Sequence, residues 1–162
     1  MRTRPEVRAE VRFALLLLLA IPVIAHDAHA DAHADPRAAC ELIEISATSA
    51  KDAGIDAELK PLEKKLKNPP FSAWNKFHLL SRTVKDLEKL KPETVALKSG
   101  KVTAIFLDLI GKSKVRLSLS IDDDKGKRTV DNTMVTVEAG DWVILGRSEP
   151  NNAGHLLALT CK

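Results

Sequence analysis

Three histidines and three aspartates crowd one short stretch near the start of the chain, His26, His29 and His33 with Asp27, Asp31 and Asp35. Imidazole nitrogens favour Cu(II) among the common divalent ions, and His-rich tracts are a compositional sign of metal binding. Two arrangements are open. With all three histidines present, the tract would hold a cation loosely. A chain beginning at Asp31 would put His33 third from a free amine. That amine, two backbone amides and the ring could then surround Cu(II) or Ni(II) in a square plane. The candidate metal ligands are therefore His26, His29, Asp31 and His33. The same small and polar residues would also serve simply as an accessible cleavage region.

The second chemical feature is the cysteine pair, Cys40 and Cys161. Neither belongs to a Cys-x-x-Cys redox arrangement, and no Cys/His spacing points to zinc. In an oxidising compartment, two cysteines at opposite ends of a small domain most simply form one disulfide. That is the expectation for Cys40 and Cys161.

Catalytic residue types are present without catalytic spacing. His78 lies in an apolar stretch, and His155 follows the loop sequence Asn151-Asn152-Ala153-Gly154. No Gly-x-Ser-x-Gly elbow accompanies them, and no spacing marks a nucleophile beside a base. Gly111-Lys112-Ser113 lacks the glycines that a phosphate loop needs before it, and reads as a hairpin turn. Asp122-Asp123-Asp124-Lys125-Gly126 is acidic, but lysines interrupt it and no Glu closes a calcium loop. The expectation is a protein that is not an enzyme and has no resident cofactor, apart from Cu(II) or Ni(II) at the N-terminal tract.

These residues must be positioned by about 130 residues, because the first thirty read as a secretory signal. Arg2, Arg4, Arg8 and Arg12 precede an apolar run from Phe13 to Ile24, and small residues follow at Ala25 and at Ala28-His29-Ala30. Cleavage is expected after Ala30, or after Ala25. The run is about twelve residues, short of the roughly twenty that span a bilayer. The organisation expected is a signal at 1–30, a His/Asp/Ala-rich linker at 31–39 and one β-rich domain at 40–162. The destination is the periplasm or the exterior, with no stable membrane span after cleavage.

Charge narrows the partners. Across 162 residues, 25 Lys and Arg face 22 Asp and Glu. So small a surplus gives no electrostatic footprint for nucleic acid. The length excludes a two-domain enzyme or a large barrel.

Alternating patterns dominate the domain. Glu41 to Ala47 reads as a first strand. A segment capped by Asp56 is expected to start as a looser turn and to become a regular helix near Pro61, stopped by Asn68-Pro69-Pro70. Phe71, Trp74 and Phe77, three apart, would stack on one side of a short helical turn and pack on the sheet. From His78 onward the period is two: 78–84, 93–97, 102–110, 115–121, 129–138, 142–145 and 156–160, joined by hairpin-length turns. The fold class is mainly β, an antiparallel β-sandwich or small barrel with one or two short helices near the N-terminal side of the domain.

The run Leu66-Lys67-Asn68-Pro69-Pro70-Phe71-Ser72, with Trp74, Phe77, Leu79 and Leu80, resembles a group of uncharacterised exported bacterial proteins with a small β-rich domain. Asn132-Thr133, Val135, Val137, Gly140 and Leu156 to Leu159 extend the resemblance over residues 41–160. It implies a destination and a domain type, and no activity. Two functions are carried forward. The first is an exported non-catalytic binding or accessory domain with an envelope protein or peptide as partner. The second is a periplasmic Cu(II)- or Ni(II)-binding protein.

Overall fold

The structure, a computed structural model, describes residues 36–162. Its strands are β1 (Arg37–Thr48), β2 (Gly54–Ile55), β3 (Lys76–Glu88), β4 (Pro92–Leu97), β5 (Gly100–Ile110), β6 (Lys114–Asp123), β7 (Arg128–Glu138), β8 (Val143–Glu149) and β9 (Ala153–Cys161). One sheet has the order β2-β3-β1-β9-β8, the other β4-β5-β6-β7. Neither closes on itself, and the two share a buried cluster, so the domain is a sandwich rather than a barrel. Pairing is antiparallel except for the two-residue β2, which runs parallel to β3.

Strand β1 explains why the first sheet needs covering on both sides. Successive residues of a strand point to opposite faces. Ala38, Cys40 and Leu42 enter the cluster between the sheets, whereas Ile43, Ile45 and Ala47 enter a second cluster on the outer face. Strand β9 behaves likewise, with Leu157 and Leu159 inward and Leu156 and Ala158 outward. Strands apolar on both faces need a layer on each. The second sheet supplies one through Val102, Ala104, Phe106, Leu117 and Leu119, and the segment between β2 and β3 supplies the other. Strand β6 alternates from Val115 to Leu119, with one face buried, and the pattern breaks at Ser120, where the pairing with β7 shifts register.

That outer segment follows the expected order, a looser turn and then a short regular helix. Residues Ala57–Leu62 form a 3-10 helix, and only Glu63–Leu66, α1, is α-helical. Pro61 has no N–H for the ladder, so the tighter turn carries the chain until α1 can start. Leu59, Leu62 and Leu66 are nonetheless fully buried on the sheet. Asp56 does not cap the segment with its side chain. Its Oδ2 accepts from the Leu79 N–H at 2.9 Å and lies 2.6 Å from His78 Nδ1, fastening the segment to β3. Strand β1 also starts at Arg37, inside the stretch expected to be linker, because Arg37 pairs in register with Glu88 of β3.

The aromatic group is also arranged differently from expectation. Phe71–Ala73 is a 3-10 turn, Trp74 is extended and Phe77 lies in β3, so no single turn stacks the three rings. They still converge on the outer cluster, with Phe77 buried and Phe71 and Trp74 partly so. Trp74 lies on the backbone of β9, and a Cβ added to Gly154 would sit 2.4 Å from its Cζ2. Gly154→Ala is therefore expected to displace the ring and cost about 2 kcal/mol, the usual scale for overpacking. In a Trp74→Ala background the same change should cost little, a coupling that a double-mutant denaturation cycle would measure. Additive losses would show that the ring does not depend on this glycine.

Candidate functional site at the polar end of the sheet interface

The face of β1 that carries Ala38, Cys40 and Leu42 next presents Glu44, which has no solvent exposure. A carboxylate placed there is costly unless its lone pairs are filled. They are filled. Oε1 accepts from the Ser99 N–H at 2.9 Å and lies 2.9 Å from His155 Nε2. Oε2 accepts from the Lys98 N–H at 2.7 Å and from Ser81 Oγ at 2.8 Å. Burial works against ionisation of Glu44, but hydrogen bonds from His155, Lys98, Ser81 and Ser99 outweigh it and lower its pKa from 4.5 to about 2. The ionised group ties β1, β3 and β9 of one sheet to the β4–β5 turn of the other.

Local geometry delivers both sides of this contact. Gly100, with φ of +142°, ends the β4–β5 turn, and a Cβ there would lie 2.0 Å from the Asp122 carbonyl oxygen. Only glycine fits, which brings the Lys98 and Ser99 N–H groups to Glu44. On the other side, Asn151 and Asn152 both have positive φ, and the Ala153 N–H donates to the Pro150 carbonyl. This is the primed turn that asparagine tolerates best in a tight hairpin. It sets the register in which Arg147 faces His155 and Leu145 faces Leu157.

Glu44 and Ser99 meet the same ring nitrogen of His155, Ser99 Oγ lying 2.8 Å from Nε2. A hydrolytic relay needs the carboxylate and the nucleophile on opposite ring nitrogens. An ionised carboxylate can only accept, so Nε2 carries the proton donated to Glu44. Among the described residues no buried side-chain nitrogen or oxygen lacks a partner, yet both contacts of the ring fall on Nε2. Nδ1 is therefore open rather than buried. His155 lines a cavity of about 250 Å³ between the sheets.

The cavity is mainly aliphatic. Ile121 and Val130 line it from the second sheet, and Leu145 and Leu157 from the first. Arg147 adds a cation, bonded through one guanidinium nitrogen to Glu149 at 3.2 Å. Thr129 and Thr133, both exposed, complete the solvent side. Glu44, Ser99 and Arg147 were not singled out by spacing. The one available signal was Glu44 itself, a charge at an inward position within Leu42-Ile43-Glu44-Ile45.

The other candidates lie elsewhere. Cys40 and Cys161 form the expected disulfide. His26, His29, Asp31 and His33, with the signal segment, lie outside the described residues. His78 is exposed and pairs with Asp56. In the acidic turn, Asp123 Oδ1 accepts from the Lys125 and Lys127 N–H groups, and Asp122 pairs with Arg128. Among the described residues no helix is long and apolar enough to cross a membrane. Comparison of the chain with protein-family models, with curated proteins and with solved structures found no match.

Proposed function

We propose that this chain is an exported, non-catalytic binding domain, periplasmic or secreted, that takes a small and partly apolar ligand between its sheets. The observation that carries this reading is a mainly aliphatic cavity between the sheets with His155 and Arg147 in its lining. Binding pockets combine apolar walls with a few placed polar groups, which is the composition here. The arginine-rich start, the short apolar run and the disulfide support export. The shared ring nitrogen favours binding over hydrolysis. Small apolar cavities accept benzene. Methyl spectra of the protein should therefore show saturable benzene shifts at Ile121, Val130, Leu145 and Leu157. Thr133→Trp, a change at an exposed position, should fill the cavity and abolish them. Shifts that fail to saturate, or that survive Thr133→Trp, would reject the cavity as a ligand site.

A further inference from the structure

Five large apolar side chains are exposed among the described residues, and three of them sit at one end of the sandwich. Val84 and Met134 are isolated within strands, as single surface hydrophobics commonly are. Leu90, Leu109 and Ile110, at 66%, 54% and 42% exposure, belong together. Leu109 and Ile110 end β5, where Gly111, with φ of +65°, turns the chain into β6. Leu90 lies in the turn between β3 and β4, and its N–H donates to the Phe106 carbonyl at 2.7 Å. Phe106 is three residues before Leu109, so the strand rise puts Leu90 about 10 Å from Leu109.

The backbone at Leu90 is costly for that residue. Glu88 to Lys91 form a four-residue turn closed by the Lys91 N–H on the Glu88 carbonyl, and Leu90, third in it, has φ of +61°. That position favours glycine or asparagine, because a Cβ crowds the backbone there. Leucine here neither relieves the turn nor fills a core. Cations surround the three side chains. Lys89, Lys112 and Lys114 are exposed, and no ion pair among the described residues engages them. Of the acids at this end, Glu88 is held by Arg37, Asp108 by Arg116 and Asp141 by Lys65. Glu138, opposite Lys114, is left to offset the three lysines.

We propose that this end of the domain docks on an anionic lipid bilayer. Leu90, Leu109 and Ile110 enter the boundary between headgroups and acyl chains, and Lys89, Lys112 and Lys114 lie among the headgroups. Lysines beside an apolar tip suit such a surface, since their stems follow the apolar region while the ammonium groups reach the lipid phosphates. A protein partner fits less well. Three side chains on two turns supply far less than the roughly 800 Å² that a stable interface buries on each side. The cavity lies toward the other end of β6, at Ile121, so the two sites are tested separately.

The test is sedimentation of the whole protein with vesicles of phosphatidylcholine alone and of an equal mixture with phosphatidylglycerol. The mixture should bind it about a hundredfold more tightly, each lysine near an anionic surface contributing about fivefold, and salt should weaken the binding. Spin-labelled lipid should broaden the methyl signals of Leu90, Leu109 and Ile110 and spare those of Val84 and Met134. Leu109→Ser/Ile110→Ser should weaken binding at least about tenfold. Leu90→Gly suits the positive φ, so it should weaken binding while the denaturation midpoint holds or rises. Lys112→Gln/Lys114→Gln should remove most of the preference for the anionic mixture. Every variant keeps whatever precedes Pro36, so binding that survives all three would belong to that segment and overturn the proposal. Equal binding to the two vesicles, binding to neither, uniform broadening of all five residues, or a dimer that the tip variants dissolve would overturn it too.

Discussion

Glu44→Ala should destabilise the domain by about 4 kcal/mol, the usual cost of breaking a buried, hydrogen-bonded charge network. Alanine would leave the Lys98 and Ser99 N–H groups, the Ser81 hydroxyl and His155 Nε2 without their acceptor, three of them held in place by sheet and turn geometry. Glu44→Gln should recover part of the loss, since an amide keeps one acceptor oxygen but points donors at donors. The wild-type pH dependence follows from the same contacts. A carboxylate whose pKa falls from 4.5 unfolded to about 2 folded contributes fully above 4.5 and loses its contribution as pH drops toward 2. That contribution is about 3 kcal/mol. Denaturant titrations from neutral pH downward should show wild-type stability falling through this window, with a shallower fall for Glu44→Gln. Glu63, Glu88, Asp122 and Asp141 are also lowered, by Lys67, Lys91, Arg128 and Lys65 respectively. The difference between wild type and Glu44→Gln isolates Glu44 from them. Parallel pH curves for the two proteins would remove Glu44 from the stability account.

The strands were legible because alternation is a strong local signal wherever one face is dry. Strand β6 shows this, with Val115, Leu117 and Leu119 buried and Arg116 and Ser118 between them partly exposed. Legibility fell where both faces are covered. In β1, apolar residues run through Leu42, Ile43 and Ile45, and local sequence cannot say which sheet or segment meets each face. The turn and short helix between β2 and β3 were legible for a physical reason. Leu59, Leu62 and Leu66 recur at helical spacing, and Pro61 makes the first part 3-10. The candidate site was nearly invisible because it assembles from distant segments. Glu44 and His155 are separated by 111 residues, and Glu44 and Ser99 by 55. Only the inward charge on β1 was available to notice, and a partner for it could not be inferred before the strand order was known. The disulfide was readable for the opposite reason, since two cysteines allow only one intramolecular pairing.

Removing that disulfide in a Cys40→Ala/Cys161→Ala double variant should cost about 4 kcal/mol, a large part of the usual stability of a domain this size. Ala39 and Lys162 exchange both backbone hydrogen bonds, at 3.0 and 2.9 Å, so the adjacent pair Cys40 and Cys161 occupies a position without them. Such positions bring facing side chains closest, which lets neighbouring strands carry the bridge. The cysteines are 121 residues apart in sequence and fully buried at the centre of the first sheet. In the chain-entropy account the bridge acts mainly on the unfolded state, by closing that long loop before folding begins. The account separates two readouts. If entropy dominates, the oxidised unfolded chain is more compact, so the double variant should show a larger denaturant m-value along with its lower midpoint. If β1–β9 pairing forms early, refolding should slow, because closure must then be achieved during the folding step. If the loss were instead only that of two buried sulfurs, the m-value would stay fixed. Unchanged stability in the double variant would show that β1 and β9 hold each other through pairing and packing alone.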